Sequence, residues 1–140
     1  MALYSIGFRT AAPAANGFWF DLKAGASERI RITEIGLFNV AATVMALALF
    51  RTTALGTRTT PTLLQANDPT DSATASDIAT AWSAVPTVGT ISLRRIHAPA
   101  TIGAGFIWNP KNLIVLQGAS IVCQAIAAGG ICDGYIEIES

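Results

Sequence analysis

Thr90–Ala127 reads TISLRRIHAPATIGAGFIWNPKNLIVLQGASIVCQAIA, and this stretch decides the fold. The runs I-S-L-R-R-I-H, F-I-W, K-N-L-I-V-L and A-S-I-V-C-Q-A-I-A are each about as long as a strand and rich in Ile, Val and Leu. They are bounded by Gly, Pro or Asn, residues that supply tight backbone geometries and that strand interiors avoid. Three strands in close succession predict one sheet segment, whose apolar face must be covered by the first half of the chain.

That first half has the same texture. Ala2–Arg9 alternates loosely as a first strand, and A-A-P-A-A-N-G is a connector with a turn signal at Asn16-Gly17. In Phe18-Trp19-Phe20-Asp21-Leu22 neighbouring side chains leave opposite faces, so Trp19 is expected to face away from Phe18 and Phe20. One of those faces is either an interface or covered within one subunit. Glu28–Asn39 starts with Ile30 and Ile32 inward, then slips phase: Glu34 falls on the Ile30 side and Ile35 and Leu37 on the other. A strand has a period of two, so the slip predicts a bulge or a change of packing surface. Val44–Thr53 is apolar on both faces, as a strand in the middle of a buried sheet would be. Ile35–Phe50 is uncharged but shorter than the ~20 residues of a membrane-crossing helix, and reads as two strands joined by the turn Asn39–Thr43.

From Ala54 to Pro86 Thr, Ala, Ser, Asp and three prolines dominate. Loops longer than about 12 residues are usually functional or carry local structure. Asp71–Trp82 is predicted as a short helical turn capped by Ser76 or Asp77, with Trp82 either a plug tying the loop to the body or a partner contact. The expected fold is therefore all-β: one domain over residues 1–140, a jelly-roll-like antiparallel β-sandwich with a long excursion at 54–86 that holds the short helix.

Composition bounds the role. Apolar residues make up 51% and charged residues 13%, against about 25% charged in an ordinary soluble domain. Apolar area left in water is unfavourable by roughly 25 cal/mol per Å², so a partner surface is expected, either a copy of the chain or a larger assembly. A surface of Ala, Thr and Ser on a monomer is the alternative. Zero net charge gives no electrostatic reason to expect nucleic acid or an anionic membrane as partner. Met1–Thr10 lacks a basic segment followed by an apolar core, which predicts synthesis in a cytoplasm.

Few residues offer chemistry. His97 is the single histidine, so a multi-histidine metal site is not available, and Cys123 and Cys132 lack a convincing set of co-ligands. The two cysteines are expected on adjacent strands of a terminal hairpin, facing each other or, if Gly129-Gly130 form the turn, with Cys123 opposite Ile136; free thiols are expected in a reducing compartment. Gly103-Ala104-Gly105 leads into F-I-W-N-P, which cannot open a helix, and reads as an inter-strand bend instead of a phosphate cradle. Arg94 and Arg95 put one guanidinium on each face of their strand. No enzymatic activity and no cofactor are expected.

The sequence I-S-L-R-R-I-H, then G-A-G-F-I-W-N-P and K-N-L-I-V-L-Q-G-A-S-I-V, resembles small jelly-roll cement or decoration proteins of tailed bacteriophage capsids, over roughly Thr90–Ala128. The resemblance implies a homotrimer laid over junctions of the major capsid protein on the outside of the virion, stabilising the shell against internal DNA pressure. It carries no catalytic residues. The expected partner surfaces are the N-terminal segment Ala2–Thr10, with Leu3, Tyr4 and Phe8, the Trp82 loop, and Trp19, Arg94, Arg95 and Trp108. Deleting the first ten residues is expected to leave a folded domain that no longer binds a capsid. The rival reading is a carbohydrate-binding jelly roll using Trp19, Trp82 or Trp108 as an aromatic platform, and a head-to-tail or tail component of a phage particle is a third.

Overall fold

The computed structural model describes Met1–Ser140. Its strands are β1 (Leu3–Arg9), β2 (Phe18–Lys23), β3 (Ile30–Asn39), β4 (Met45–Ala54), β5 (Thr57–Arg58), β6 (Thr62–Leu63), β7 (Gln65–Ala66), β8 (Asp77–Ala79), β9 (Trp82–Ala84), β10 (Thr87–Val88), β11 (Arg94–Ala98), β12 (Gly105–Trp108), β13 (Leu113–Val115), β14 (Ser120–Ala125) and β15 (Cys132–Glu139). The first sheet runs β12-β3-β15-β1-β7, with β13 continuing β12 alongside β3. The second runs β10-β4-β14-β2-β8-β6, with β11 also on β4. The long strands are thus ordered β12-β3-β15-β1 over β11-β4-β14-β2, and the chain changes sheet at nearly every step. This is the wrapping of a jelly roll, an antiparallel sandwich as the sequence pattern predicts.

The expectation of one sheet segment from Thr90–Ala127 needs correction. β11 and β14 join the second sheet, whereas β12 and β13 join the first. The links Pro99–Ala104 and Leu116–Ala119 carry the chain across the ~10 Å between stacked sheets instead of folding it back on itself. Gly103 takes φ +85° in the first link, and at Gly105 a Cβ would lie 2.0 Å from the Leu37 carbonyl oxygen, so the bend requires both glycines.

The core fills the space between the sheets. The phase slip in β3 is a bulge: Glu137 pairs with Glu34 and Ile138 with Ile32, leaving Thr33 over. The extra residue returns Ile35 and Leu37 to the face of Ile30 and Ile32, and all four are fully buried. A second bulge overturns the expected parity of the aromatics. Phe20 pairs with Cys123 and Phe18 with Gln124, skipping Trp19. Trp19 and Phe20 therefore both enter the main core, while Phe18 goes to the outer face with Ala48, Phe50 and Val122. Trp19 is wholly buried, its Nε1 donates to the Gly130 carbonyl at 3.0 Å, and a Cβ on Gly129 would stand 2.2 Å from its Cζ2.

Two further expectations are corrected. No helix forms between Asp71 and Trp82, because the side chains that would cap it are bound elsewhere: Ser76 to Glu28 and Asp77 to Arg58. Cys123 and Cys132 do not sit on a hairpin, since β14 and β15 belong to different sheets. Both are buried free thiols. Burial pushes Cys132 up to about 11 and Cys123 well above its ordinary value.

Candidate functional site

The two rims of the sandwich differ. One is closed by the excursion after β4. β7 extends the first sheet beyond β1, and β8 and β6 extend the second beyond β2. Tyr4 Oη donates to the Ser72 carbonyl at 2.7 Å and Ser5 Oγ to Asn67 Oδ1 at 2.6 Å. The Glu28 carboxylate accepts from the Ala75 amide at 2.6 Å, Ser76 Oγ at 2.9 Å and the Thr74 hydroxyl. Partial burial would raise its pKa, but the bonds from Ala75, Thr74 and Ser76 outweigh this and hold it below the usual value.

Over the outer face of the second sheet, β5 and β9 pair with each other and carry the excursion's polar clamp. Arg58 grips the fully buried Asp21 through Nε at 2.9 Å and Nη2 at 2.6 Å, and also pairs with Asp77. Trp82 Nε1 donates to Asp21 Oδ2 at 2.9 Å, and its ring meets Phe18 edge-on at 5.9 Å. Burial opposes the charge on Arg58, yet Asp21 and Asp77 together hold its pKa above the ordinary value.

The opposite rim is open. β11 has a neighbour only on the β4 side and β12 only on the β3 side, so two strand edges lie side by side without partners. Arg94 and Trp108 close the gap between the sheets, with the guanidinium carbon 5.4 Å from the ring centroid. Arg51 Nη1 reaches across to the Ile114 carbonyl at 2.7 Å. Around them Ile91 is 82%, Ile107 57% and Leu116 56% exposed. Arg95 and His97 point to the outer face of the second sheet, beside a shallow hollow of about 210 Å³ shared with Ala46 and Ile126. Asn109 Nδ2 donates to Glu34 Oε1 at 2.7 Å, and this bond, with one from Tyr135, holds Glu34 below the ordinary carboxylate value.

The predicted partner residues divide accordingly. Tyr4 and Trp19 are core residues and present no surface to a partner. Phe8 is half-buried, its ring 5.2 Å from Phe20, and Leu3 is exposed. Since β1 lies between β15 and β7 and buries Tyr4, Ala2–Thr10 is part of the sandwich and not a detachable arm. Trp82 is a plug. Arg94 and Trp108 come together at the open rim, with exposed Arg95 directed away from them. The sequence reading missed Asp21, Arg58 and Glu28, although a lone Asp within F-W-F-D-L was the available signal. It also missed Ile91 and Ile107, which nothing in a single apolar run distinguishes from core.

Such a rim can bind by apolar burial and cationic hydrogen bonding. Comparison with known proteins finds no matching family model, no matching curated protein and no matching solved structure.

Proposed function

We propose that this chain is a virion structural protein, a self-associating capsid decoration or cement protein that sits on the outside of a phage head across junctions of the major capsid protein. The observation that carries the reading is the open rim, where two unpaired strand edges stand among exposed Ile91, Ile107 and Leu116. Isolated proteins protect such edges, and here the other rim is protected by a long excursion while this one is left bare. The low charge content and the resemblance over Thr90–Ala128 support the same reading, and the trimer rests on that resemblance alone. The test is co-sedimentation of the purified chain with bare heads of its own phage, followed by heating. Bound chain should raise the temperature at which the heads release DNA, and no co-sedimentation at saturating chain would overturn the proposal.

A second reading, a carbohydrate-binding module, is favoured by one observation: Trp108 is only partly buried, at a rim with polar Arg94 and Asn109 beside it. The burial of Trp19 and the plugging role of Trp82 leave Trp108 as its sole aromatic platform. Sugar-dependent quenching of tryptophan fluorescence that is lost in Trp108→Ala would favour this reading. Imaging of the native particle separates a capsid position from a tail position.

A further inference from the structure

Charge is divided between the two rims. Of the nine Lys and Arg residues, only Arg9, Arg31 and Arg58 are in ion pairs. Three of the other six, Arg94, Arg95 and Lys111, belong to the strands and turns of the open rim, where the Glu34 carboxylate is bonded to Asn109. The closed rim carries Asp68 and Asp71, both exposed and neither in an ion pair. Beside them is a groove of about 300 Å³ whose lining includes Leu63, Ala66 and Pro69 together with Gln65, Asp71 and Thr74, and in which Leu63 is 49% exposed. One rim thus offers projecting Ile and cations, and the other a groove of mixed apolar and polar lining with the Asp71 carboxylate in its wall.

We infer that the open rim of one copy docks head-to-tail on the acidic excursion groove of a second copy. The inference rests on the proposed self-association and names its surfaces. Two open rims facing each other would bring Arg94 and Lys111 of both copies together, and like charges in apposition oppose that arrangement. The head-to-tail arrangement pairs cation with carboxylate and Ile91 or Ile107 with the groove, giving a heterologous contact that closes into a ring when its rotation allows. A standard interface takes about 800 Å² from each partner. Two such patches use about a quarter of the 6770 Å² of this chain, and they lie at opposite rims, so each copy can hold two neighbours at once.

The experiment is sedimentation velocity on the full chain and on three variants whose fold is checked by circular dichroism and melting. Arg95→Glu, on the outer face of the rim strand β11, with Lys111→Glu reverses the charge of the open-rim strands without touching the Arg94–Trp108 contact, and Asp71→Arg reverses the groove. Wild-type chain should assemble with increasing concentration, more weakly at high salt. Each reversal should weaken assembly by about tenfold or more, and the chain carrying all three substitutions should recover most of it. Assembly that ignores both reversals, or that is not recovered in the triple variant, overturns the inference and leaves the proposed function standing. A wild-type chain that stays monomeric at all concentrations overturns it too; binding of that monomer to phage heads would then decide the proposed function separately.

Discussion

Arg58→Met tests whether the excursion is held by its buried ionic clamp. Methionine keeps the length of the aliphatic stem and removes the charge. What remains is the Asp21 carboxylate, fully buried, with only Trp82 Nε1 still donating to it, and an Asp77 carboxylate deprived of its cation. Breaking a buried pair from one side costs about 3–5 kcal/mol, because an uncompensated charge stays behind, whereas an exposed pair is worth about 0–1 kcal/mol. The structure places this pair in the first class, since the side chains of Asp21 and Arg58 are 0% and 8% exposed. For a chain of 140 residues the unfolding entropy is about 0.3 kcal/mol per kelvin, so the expected loss is about 10–17 °C in melting temperature.

A double-mutant cycle separates the clamp from simple packing loss. Asp21→Asn removes the stranded charge but keeps an oxygen for Trp82, so Asp21→Asn/Arg58→Met should be more stable than Arg58→Met alone by about 1–3 kcal/mol. Hydrogen exchange then locates the damage. Amides of residues 54–88 should lose protection first, because β5 and β9 are two-stranded and rest on the sandwich through this cluster and the Trp82–Phe18 contact. A loss below about 1 kcal/mol, or single and double variants that simply add, would refute the argument.

Four other outcomes are expected. The bonds to Ala75, Thr74 and Ser76 hold the folded-state pKa of Glu28 below the ordinary carboxylate value, so its stabilising contribution is present above that ordinary value and lost as pH falls through the folded pKa; melting temperature should drop across this acid range, and less steeply in Glu28→Gln. Gly129→Ala puts a Cβ 2.2 Å from the Trp19 ring, and overpacking of this kind should cost about 1–3 kcal/mol in urea titration. Both thiols should resist iodoacetamide at pH 8 in folded protein and react fully in urea, as the Cys132 value of about 11 and the burial of Cys123 require. Deleting Ala2–Thr10 removes β1 from between β15 and β7 and should give a chain without cooperative unfolding, in contrast to the folded truncation that the sequence alone suggests.

The legible features were those written in a local period. Ile30, Ile32, Ile35 and Leu37 announce both a strand and its bulge, because the break in alternation at Thr33-Glu34 has one economical geometric remedy. The bulge at Trp19 was hidden because Phe18, Trp19 and Phe20 are all apolar, and a slip by one residue leaves the pattern unchanged. Sheet membership was hidden as well. β11 and β12 are neighbours in sequence, and whether the chain turns back or crosses to the other sheet depends on partners far away in β4 and β3. The same limit applies to the site: alternation correctly sent Arg94 and Arg95 to opposite faces, but the meeting of Arg94 with Trp108 joins strands of different sheets. In the excursion, Ser76 and Asp77 have the composition of a helix cap, and only the tertiary acceptor Glu28 and donor Arg58 divert them.

In a chain with 13% charged residues, the position of each charge carries more meaning than in an ordinary domain. Solubility alone favours dispersed charges of both signs. Here Arg58, Asp21 and Asp77 are spent under the excursion, where they fix a flap of polar sequence on an apolar sheet face. The Glu28 carboxylate is likewise turned inward to backbone and hydroxyl donors. Of the cations left without carboxylates, Arg94, Arg95 and Lys111 then lie on the strands and turns of the rim that has no covering strand, next to the most exposed isoleucines of the sandwich. An edge whose unpaired charges are mostly positive resists pairing with its own kind and accepts a surface of opposite sign, which connects the missing cover, the uneven charge and the proposed assembly through one physical cause.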